Sequence, residues 1–484
     1  MRNRLMFVFV ALMLVSLSCT ISLPSSQPEL SEGDTVATWV AETLASGEIP
    51  VIDTPAPVIE TQAEAGNLEP TSTVVPEETP ISPASQPAET EAPLLIDNPP
   101  PAGYDASLLR VAFFSNNQLK LWTEGAGETV LYSGEPVADI LLSKDGWVIV
   151  FTTRNTDFVF TGLWRVNADG SDLRRLLDAG TMDAFATNPT ADGVSPYQME
   201  FVPGTRLLAF NTRLVFMGPG LIIQDDLRLL DTSSGSLSTL IEAGQGGAFT
   251  YSPDGTQIAL VSPTSVSLVN ADGSNRRSNV ITFPMIRTYS EYQFYPMVSW
   301  EAGSSAAWVV IPSEDSLAPD ASMVVWRINA SDGIPNLAAT YPFDLSLFFA
   351  GHVLSPDLQQ IVYLQREGAP EANQWTLHVA RLGSSADRIL RTGIVRFESW
   401  SPGGNWVTIE EEGEFLAGDV SGSFRPMADV LPAIEVQWVD SERFLFLSGD
   451  YEAMQLHLGS LSAPSLAIGD VTNNYVPFSF AFGE

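Results

Sequence analysis

Three histidines, His352, His378 and His457, are all this chain has, and they lie far apart. His378 sits in Thr376-Leu-His-Val-Ala380 and His457 in Gln455-Leu-His-Leu458, so both fall mid-strand, where packing or surface roles are expected rather than metal ligation. A Ser-His-Asp hydrolase would need a nucleophile elbow, and Gly-x-Ser-x-Gly does not occur. A phosphate-binding Gly-x-x-x-x-Gly-Lys-Ser/Thr loop is also missing from a chain whose lysines are Lys120 and Lys144 alone. Carboxylates are plentiful. Asp225-Asp226 and Glu410-Glu-Glu412 with Glu414 offer oxygen ligands to calcium, yet no Asp-x-Asp-x-Asp-Gly loop organises them. Solvated loops and strand edges account for them, and no cofactor or metal site is assigned. Carboxylate pairs suited to glycoside hydrolysis would have to be assembled from distant parts of the chain, and their separation decides the mechanism. No catalytic residue is assigned, and the chain is not expected to be an enzyme.

The elements that would position any site are short strands. Asn167-Ala-Asp-Gly-Ser171 and Asn270-Ala-Asp-Gly-Ser274 each join two runs of alternating character, and Asp-Gly supplies the positive backbone angles of a tight hairpin. Asn329-Ala-Ser-Asp-Gly333, Asp231-Thr-Ser-Ser-Gly235 and Gly383-Ser-Ser-Ala386 fill the same slot elsewhere. A second landmark is a strand, a turn and a strongly apolar strand, as in Phe249-Thr-Tyr-Ser-Pro-Asp-Gly-Thr-Gln-Ile-Ala-Leu260 and Ser399-Trp-Ser-Pro-Gly-Gly-Asn-Trp-Val-Thr-Ile409. Proline pre-sets the corner of that turn. Looser copies begin at Leu141, Met199, Val298, Val353 and Val436. Seven copies about 40 to 60 residues apart have the period of four-stranded propeller blades, with the landmark joining the first two strands and the Asn-Ala-Asp-Gly-Ser hairpin the last two.

An incomplete unit precedes the first landmark: Arg110-Val-Ala-Phe-Phe114, Leu119-Lys-Leu-Trp122 and Thr129-Val-Leu-Tyr132 make three strands without a first. Tyr475-Val-Pro-Phe-Ser-Phe-Ala-Phe482 is an unpartnered strand at the other end. Pairing them closes the ring and removes exposed edges. The expected fold is therefore an all-β propeller of four-stranded blades, eight in number with seven as the alternative. Trp147, Trp164, Trp300, Trp308, Trp326, Trp400, Trp406 and Trp438 are expected to pack between blades.

The alternation of Ser-Pro-Asp-Gly and Asn-Ala-Asp-Gly-Ser resembles the TolB-type, WD40-like propeller repeats of cell-envelope proteins, over roughly residues 110–484. The two turn motifs are specific for the repeat and unspecific for function. Propellers of this kind also precede the hydrolase domain of prolyl oligopeptidase-like enzymes, and no room for such a domain is expected after the last strand.

Composition and the N-terminus add a location. Acidic residues number 58 and basic ones 23, a net charge of −35 that repels nucleic-acid backbones and anionic membrane surfaces. The single cysteine excludes a disulfide framework. Met1-Arg-Asn-Arg4 followed by the apolar run Leu5 to Leu17 reads as a secretory signal, too short to span a bilayer core of about 30 Å. Ser16-Leu-Ser-Cys19 resembles a bacterial lipobox, with Ser16 where leucine is usual. The resemblance implies cleavage before Cys19 and lipidation of its thiol, hence a membrane anchor without a helix.

From Thr20 to Leu109 there are fifteen Asp or Glu, fourteen Pro and no Lys or Arg, a composition that cannot bury a core. Within it, Asp34 to Gly47 places Val36, Trp39, Val40, Thr43 and Leu44 on one helical face, fit for a membrane surface or a partner, although so short a helix is weak alone. Three segments follow: a lipoprotein signal peptide (1–18), an acidic disordered linker (19–107) reaching about 50 Å if flexible, and a propeller domain (108–484).

The longest departures from the repeat are 178–198, 212–225, 284–294 and 312–322. Binding residues concentrate on loops held by a rigid scaffold, so Phe216, Tyr289, Tyr292 and Phe294 are the candidate ligand contacts. The function expected is that of a monomeric, membrane-anchored, extracytoplasmic binding or scaffold module for a protein, peptide or glycan at the cell envelope, without nucleic acid. The alternative is a propeller-type hydrolase or lyase with carboxylates from several blades. A structural envelope component is a third.

Overall fold

A computed structural model of the chain describes residues 99–483, apart from 217–220, 289–292, 369–373, 385, 451–452 and 473–477. The signal segment, Cys19, almost all of the linker and the 34–47 helix lie outside the described residues.

The local chemistry of the two motifs is that of turns. In Ser252-Pro-Asp-Gly255 the serine Oγ donates to the Asp254 carboxylate at 2.6 Å, the Thr256 amide donates to the same oxygen at 3.0 Å, and Gly255 takes a φ of +71°. Ser143 with Asp145 and Ser355 with Asp357 repeat the clasp at 2.6 Å. In the other hairpin Asp169 accepts from the Ser171 amide at 2.9 Å while Asn167 Nδ2 donates to Ser171 Oγ at 2.9 Å. Asn270, Asp272 and Ser274 do the same at 3.0 and 2.8 Å. These side chains satisfy backbone groups that a tight turn would leave unpaired.

Eight antiparallel sheets follow one another as propeller blades. In chain order blades 2 to 8 span 137–178, 193–241, 248–282, 298–342, 353–393, 395–426 and 433–471. Blade 1 is composite. The strands Arg110–Ser115, Gln118–Thr123 and Gly127–Ser133 receive Phe478–Ala481 as their innermost member, with Phe113 opposite Phe478 and Arg110 opposite Ala481. Blade 3 gains a fifth strand, Leu221–Ile223. Blade 6 has a three-stranded sheet, and its innermost segment is reduced to a single bridge between Leu354 and Ile361.

Apolar side chains of neighbouring blades interdigitate into seven clusters spread around the ring. All eight tryptophans named above contribute to them, Trp147, Trp300, Trp400 and Trp438 as buried members and the rest packed against the clusters. Polar staples accompany the packing. Arg174, Arg277, Arg388 and Arg425, at or near the start of a fourth strand, each donate to a backbone carbonyl at the third-to-fourth turn of the next blade: Ser233, Ala330, Val420 and Leu461. This explains the basic residues that trail the Asn-Ala-Asp-Gly-Ser hairpins.

The meander makes the two ends of the ring unlike. First-to-second and third-to-fourth turns, the tight motifs, share one end. Second-to-third hairpins and the connections between blades share the other. The described parts of all four irregular segments fall on that second end: 179–192 and 283–297 between blades, 213–226 and 313–321 within them. So do a short helix, Ala179–Asp183, and a 3-10 turn, Leu345–Phe349.

Candidate functional site at the channel mouth

The innermost strands line the ring's axis, and on the loop-bearing end they carry charge. In blade 3, Ser195 of the innermost strand faces Arg213 of the second strand, and Arg213 Nε donates to Ser195 Oγ at 3.0 Å. The guanidinium also lies 5.5 Å from the centre of the Tyr197 ring. Burial lowers its pKa, the Asp139 charge opposes that shift, and the charge of Arg154 adds to it. Asp139 and Arg154 both belong to blade 2, where they sit 3.7 Å apart and Thr152 Oγ donates to Asp139 at 2.7 Å. Arg154 also lines an open groove of about 290 Å³ between blades 1 and 2, with Asn117, Asn155, Phe158 and Thr472.

Across the axis the wall is acidic. Blade 7 stands four places from blade 3 in a ring of eight, hence opposite it. Its innermost strand, Val395–Trp400, carries Arg396 and Glu398, whose Nε and Oε1 are 2.5 Å apart. Arg396 also pairs with Glu410 directly opposite on the second strand. Burial pushes the Glu398 carboxyl up, Arg396 pulls it down, and Glu410 and Glu435 push it up further, for a net rise. Glu435 lies on the innermost strand of blade 8 and accepts from Gln437 Nε2 at 2.5 Å. Carboxylates of two blades therefore act on one another here. Deeper in blade 3, burial pushes Glu200 up to about 7 against a hydrogen bond from the Tyr251 backbone.

Between these walls, Ser299 Oγ and His352 Nδ1 link blades 5 and 6 at 2.9 Å. Burial lowers the pKa of His352, which favours the neutral imidazole. The pair borders a cavity of about 40 Å³ otherwise lined by apolar side chains such as Phe294, Met323 and Leu347.

Phe294 packs on Phe348, with ring centres 4.4 Å apart, and Phe343 joins them at 5.1 Å from Phe348. Phe216 packs against the cluster between blades 2 and 3, so these two aromatics share the rim but belong to separate clusters. Tyr289 and Tyr292 lie outside the described residues. His378 stacks on Tyr363 and His457 on Phe446, each pair directly opposite across two strands with ring centres 4.7 Å apart. Both imidazoles pack as aromatics do. Of the acidic residues, Asp226 is buried on Arg228 at 2.8 Å, Asp225 accepts from Tyr295 at 3.2 Å, and Glu410 and Glu411 pair with Arg396 and Arg391. Among the described residues no group of three or more His, Cys, Asp or Glu is placed to hold a metal ion. Sequence reading missed Arg213, Arg154, Glu398 and the Ser299–His352 pair. One signal was present: Arg396 and Glu398 occupy alternate positions of a strand the repeat assigns to the ring's interior.

Fold and site together define the class, an eight-bladed β-propeller with a charged mouth on its loop-bearing end. No protein-family model matches the sequence, and no curated protein sequence matches it. Among solved structures the chain is similar to the dipeptidyl peptidase 4 of Porphyromonas gingivalis, at 13% identity over 70% of this chain and 54% of that one, with a TM-score of 0.47. It thus spans about half the length of that peptidase. It is similar also to a eukaryotic initiation factor, at 11% identity over 77% of this chain and 98% of the other, TM-score 0.47. An oligogalacturonate lyase in complex with manganese gives 13% identity, 71% and 82% coverage, and a TM-score of 0.38. These likenesses carry no conclusion about activity.

Proposed function

We propose that the chain is an extracytoplasmic binding module: a propeller of the TolB-type repeat class, anchored to a bacterial membrane through lipidated Cys19 and held off it by the acidic linker. It acts as a monomer and engages a protein, peptide or glycan of the cell envelope. The observation that carries this reading is the asymmetry of the ring. Tight, self-satisfied turns occupy one end, and every irregular connection named above gathers at the other, around charged side chains on the first and second strands of the blades. A net charge of −35 speaks against nucleic acid. The full chain applied to a panel of envelope glycans and peptides tests the role: retention of members of one chemical class supports it, and retention of none together with turnover of any sinks it. Incorporation of labelled fatty acid into wild type but not Cys19→Ala tests the anchor; equal labelling of both removes it.

A second reading, a hydrolase or lyase, is favoured by Glu398. A carboxyl whose pKa is raised by burial and by the neighbouring carboxylates of its own and the next blade, against the pull of Arg396, has the makings of a general acid with a neighbouring base. Turnover of a panel member that Glu398→Gln abolishes while retention persists would establish it.

A further inference from the structure

Five arginines are buried among the described residues: Arg110, Arg165, Arg206, Arg213 and Arg228. A buried guanidinium is costly unless its charge or its donors are met. Arg165 donates to the Thr232 carbonyl at 2.7 Å, Arg206 to Asp145 at 2.6 Å, Arg228 to Asp226 at 2.8 Å, and Arg110 to the Leu108 carbonyl at 3.2 Å. Arg213 alone has neither carboxylate nor carbonyl among the described residues. Its Nε is taken by Ser195, and the Nη fork, the part that recognises planar anions in two-point fashion, has no described partner. Arg154 brings a second positive charge to the same place from blade 2, and its side chain opens onto the groove between blades 1 and 2. Arg213 and Arg154 share the one Asp139 carboxylate, so this cluster carries a net positive charge in a chain otherwise so acidic.

We propose that Arg213, supported by Arg154, forms a subsite for a carboxylate group of the ligand at the channel mouth between blades 2 and 3. The proposal rests on the binding reading above and gives its ligand a chemistry. Ser195 holds Nε and the Tyr197 ring lies 5.5 Å from the guanidinium carbon, so less side-chain freedom is lost on binding. The acidic wall of blades 7 and 8 disfavours a multiply charged anion, and a single carboxylate suits the site better than a phosphate. Such a carboxylate is supplied by a uronic-acid sugar or by the C-terminus of a peptide.

The test uses the full chain and four probes: D-galacturonate, its methyl ester, an N-acetylated tripeptide acid and the corresponding amide, with inorganic phosphate as control. Binding is followed by ligand-observed NMR. One or both acids should bind about tenfold or more tightly than their neutral counterparts, the size expected of a charge-assisted pair. Which acid binds identifies the source. Arg213→Gln should abolish that preference, Arg154→Gln should weaken it, and Arg213→Lys should restore part of it.

Thermal melting separates this role from a structural one. A purely structural arginine leaves Arg213→Gln less stable, whereas a binding arginine leaves it as stable as wild type or more so. Equal binding of acid and neutral probes, tighter binding of phosphate, an unchanged preference in Arg213→Gln, or no binding of either acid at millimolar concentration would each overturn the subsite. Retention of an envelope ligand equally by wild type and Arg213→Gln overturns the subsite while leaving the binding module standing.

Discussion

Arg443 Nη1 lies 3.0 Å from the Glu124 carboxylate, joining the last blade to the first across 319 residues of sequence. The same seam is closed by the strand Phe478–Ala481, which pairs with Arg110–Ser115 and buries Phe478 completely. The two devices differ in weight. Both members of the ion pair are partly exposed and worth under about 1 kcal/mol, while loss of the strand uncovers apolar surface and an open sheet edge.

Truncation after residue 477 should therefore lower the melting temperature by roughly 10 °C or more, or yield aggregates, while Glu124→Gln should shift the urea midpoint only slightly. Comparable effects of the two changes would contradict this division of labour.

Arg165 is fully buried, donating to Thr232 of the next blade at 2.7 Å and to Asn167 at 2.7 Å, with Asp172 at 3.2 Å. Arg165→Met should cost about 2–4 kcal/mol in chemical denaturation, because partners of a buried charge are left unmet.

Gly459 lies beneath the buried ring of Phe444, and a Cβ there would fall inside van der Waals contact with that ring. Gly459→Ala should destabilise by about 1–3 kcal/mol, and Gly459→Ala combined with Phe444→Leu should recover part of the loss. A double variant no better than the single would contradict the steric account.

The pH dependence follows from Glu200. Its folded pKa of about 7 lies above the ordinary 4.5, so between those values the folded state holds a proton that the unfolded chain has released. Stability from this group is full below about pH 4.5 and falls as pH rises toward 7, by at most about 3 kcal/mol. Glu200→Gln should flatten that part of the stability profile relative to wild type. Parallel profiles would place the titration elsewhere.

The blades were legible because their signals are local. Ser252, Asp254 and Gly255 form a turn within a few residues, and Ser143 with Asp145 and Ser355 with Asp357 repeat its clasp. Closure was legible too, since three strands at one end and one at the other leave a single arrangement without open edges. The channel mouth was not. Asn211-Thr-Arg-Leu-Val215 reads as one more alternating strand, and what distinguishes Arg213 is its setting beside Asp139 and Arg154, which only blade 2 supplies. Nor does sequence say which loop aromatics turn inward. Phe294 meets Phe348, 54 positions on, only because the connections into and out of blade 5 share one end of the ring.

The central claim is that the loop-bearing end is the working face. A photo-crosslinking residue placed in cells at Thr187 or Leu317, exposed on that end, should give specific adducts, and the same residue at Asp169 or Asp272 in the tight turns should give none. Adducts formed only from the turn positions, or equally from both ends, would contradict it.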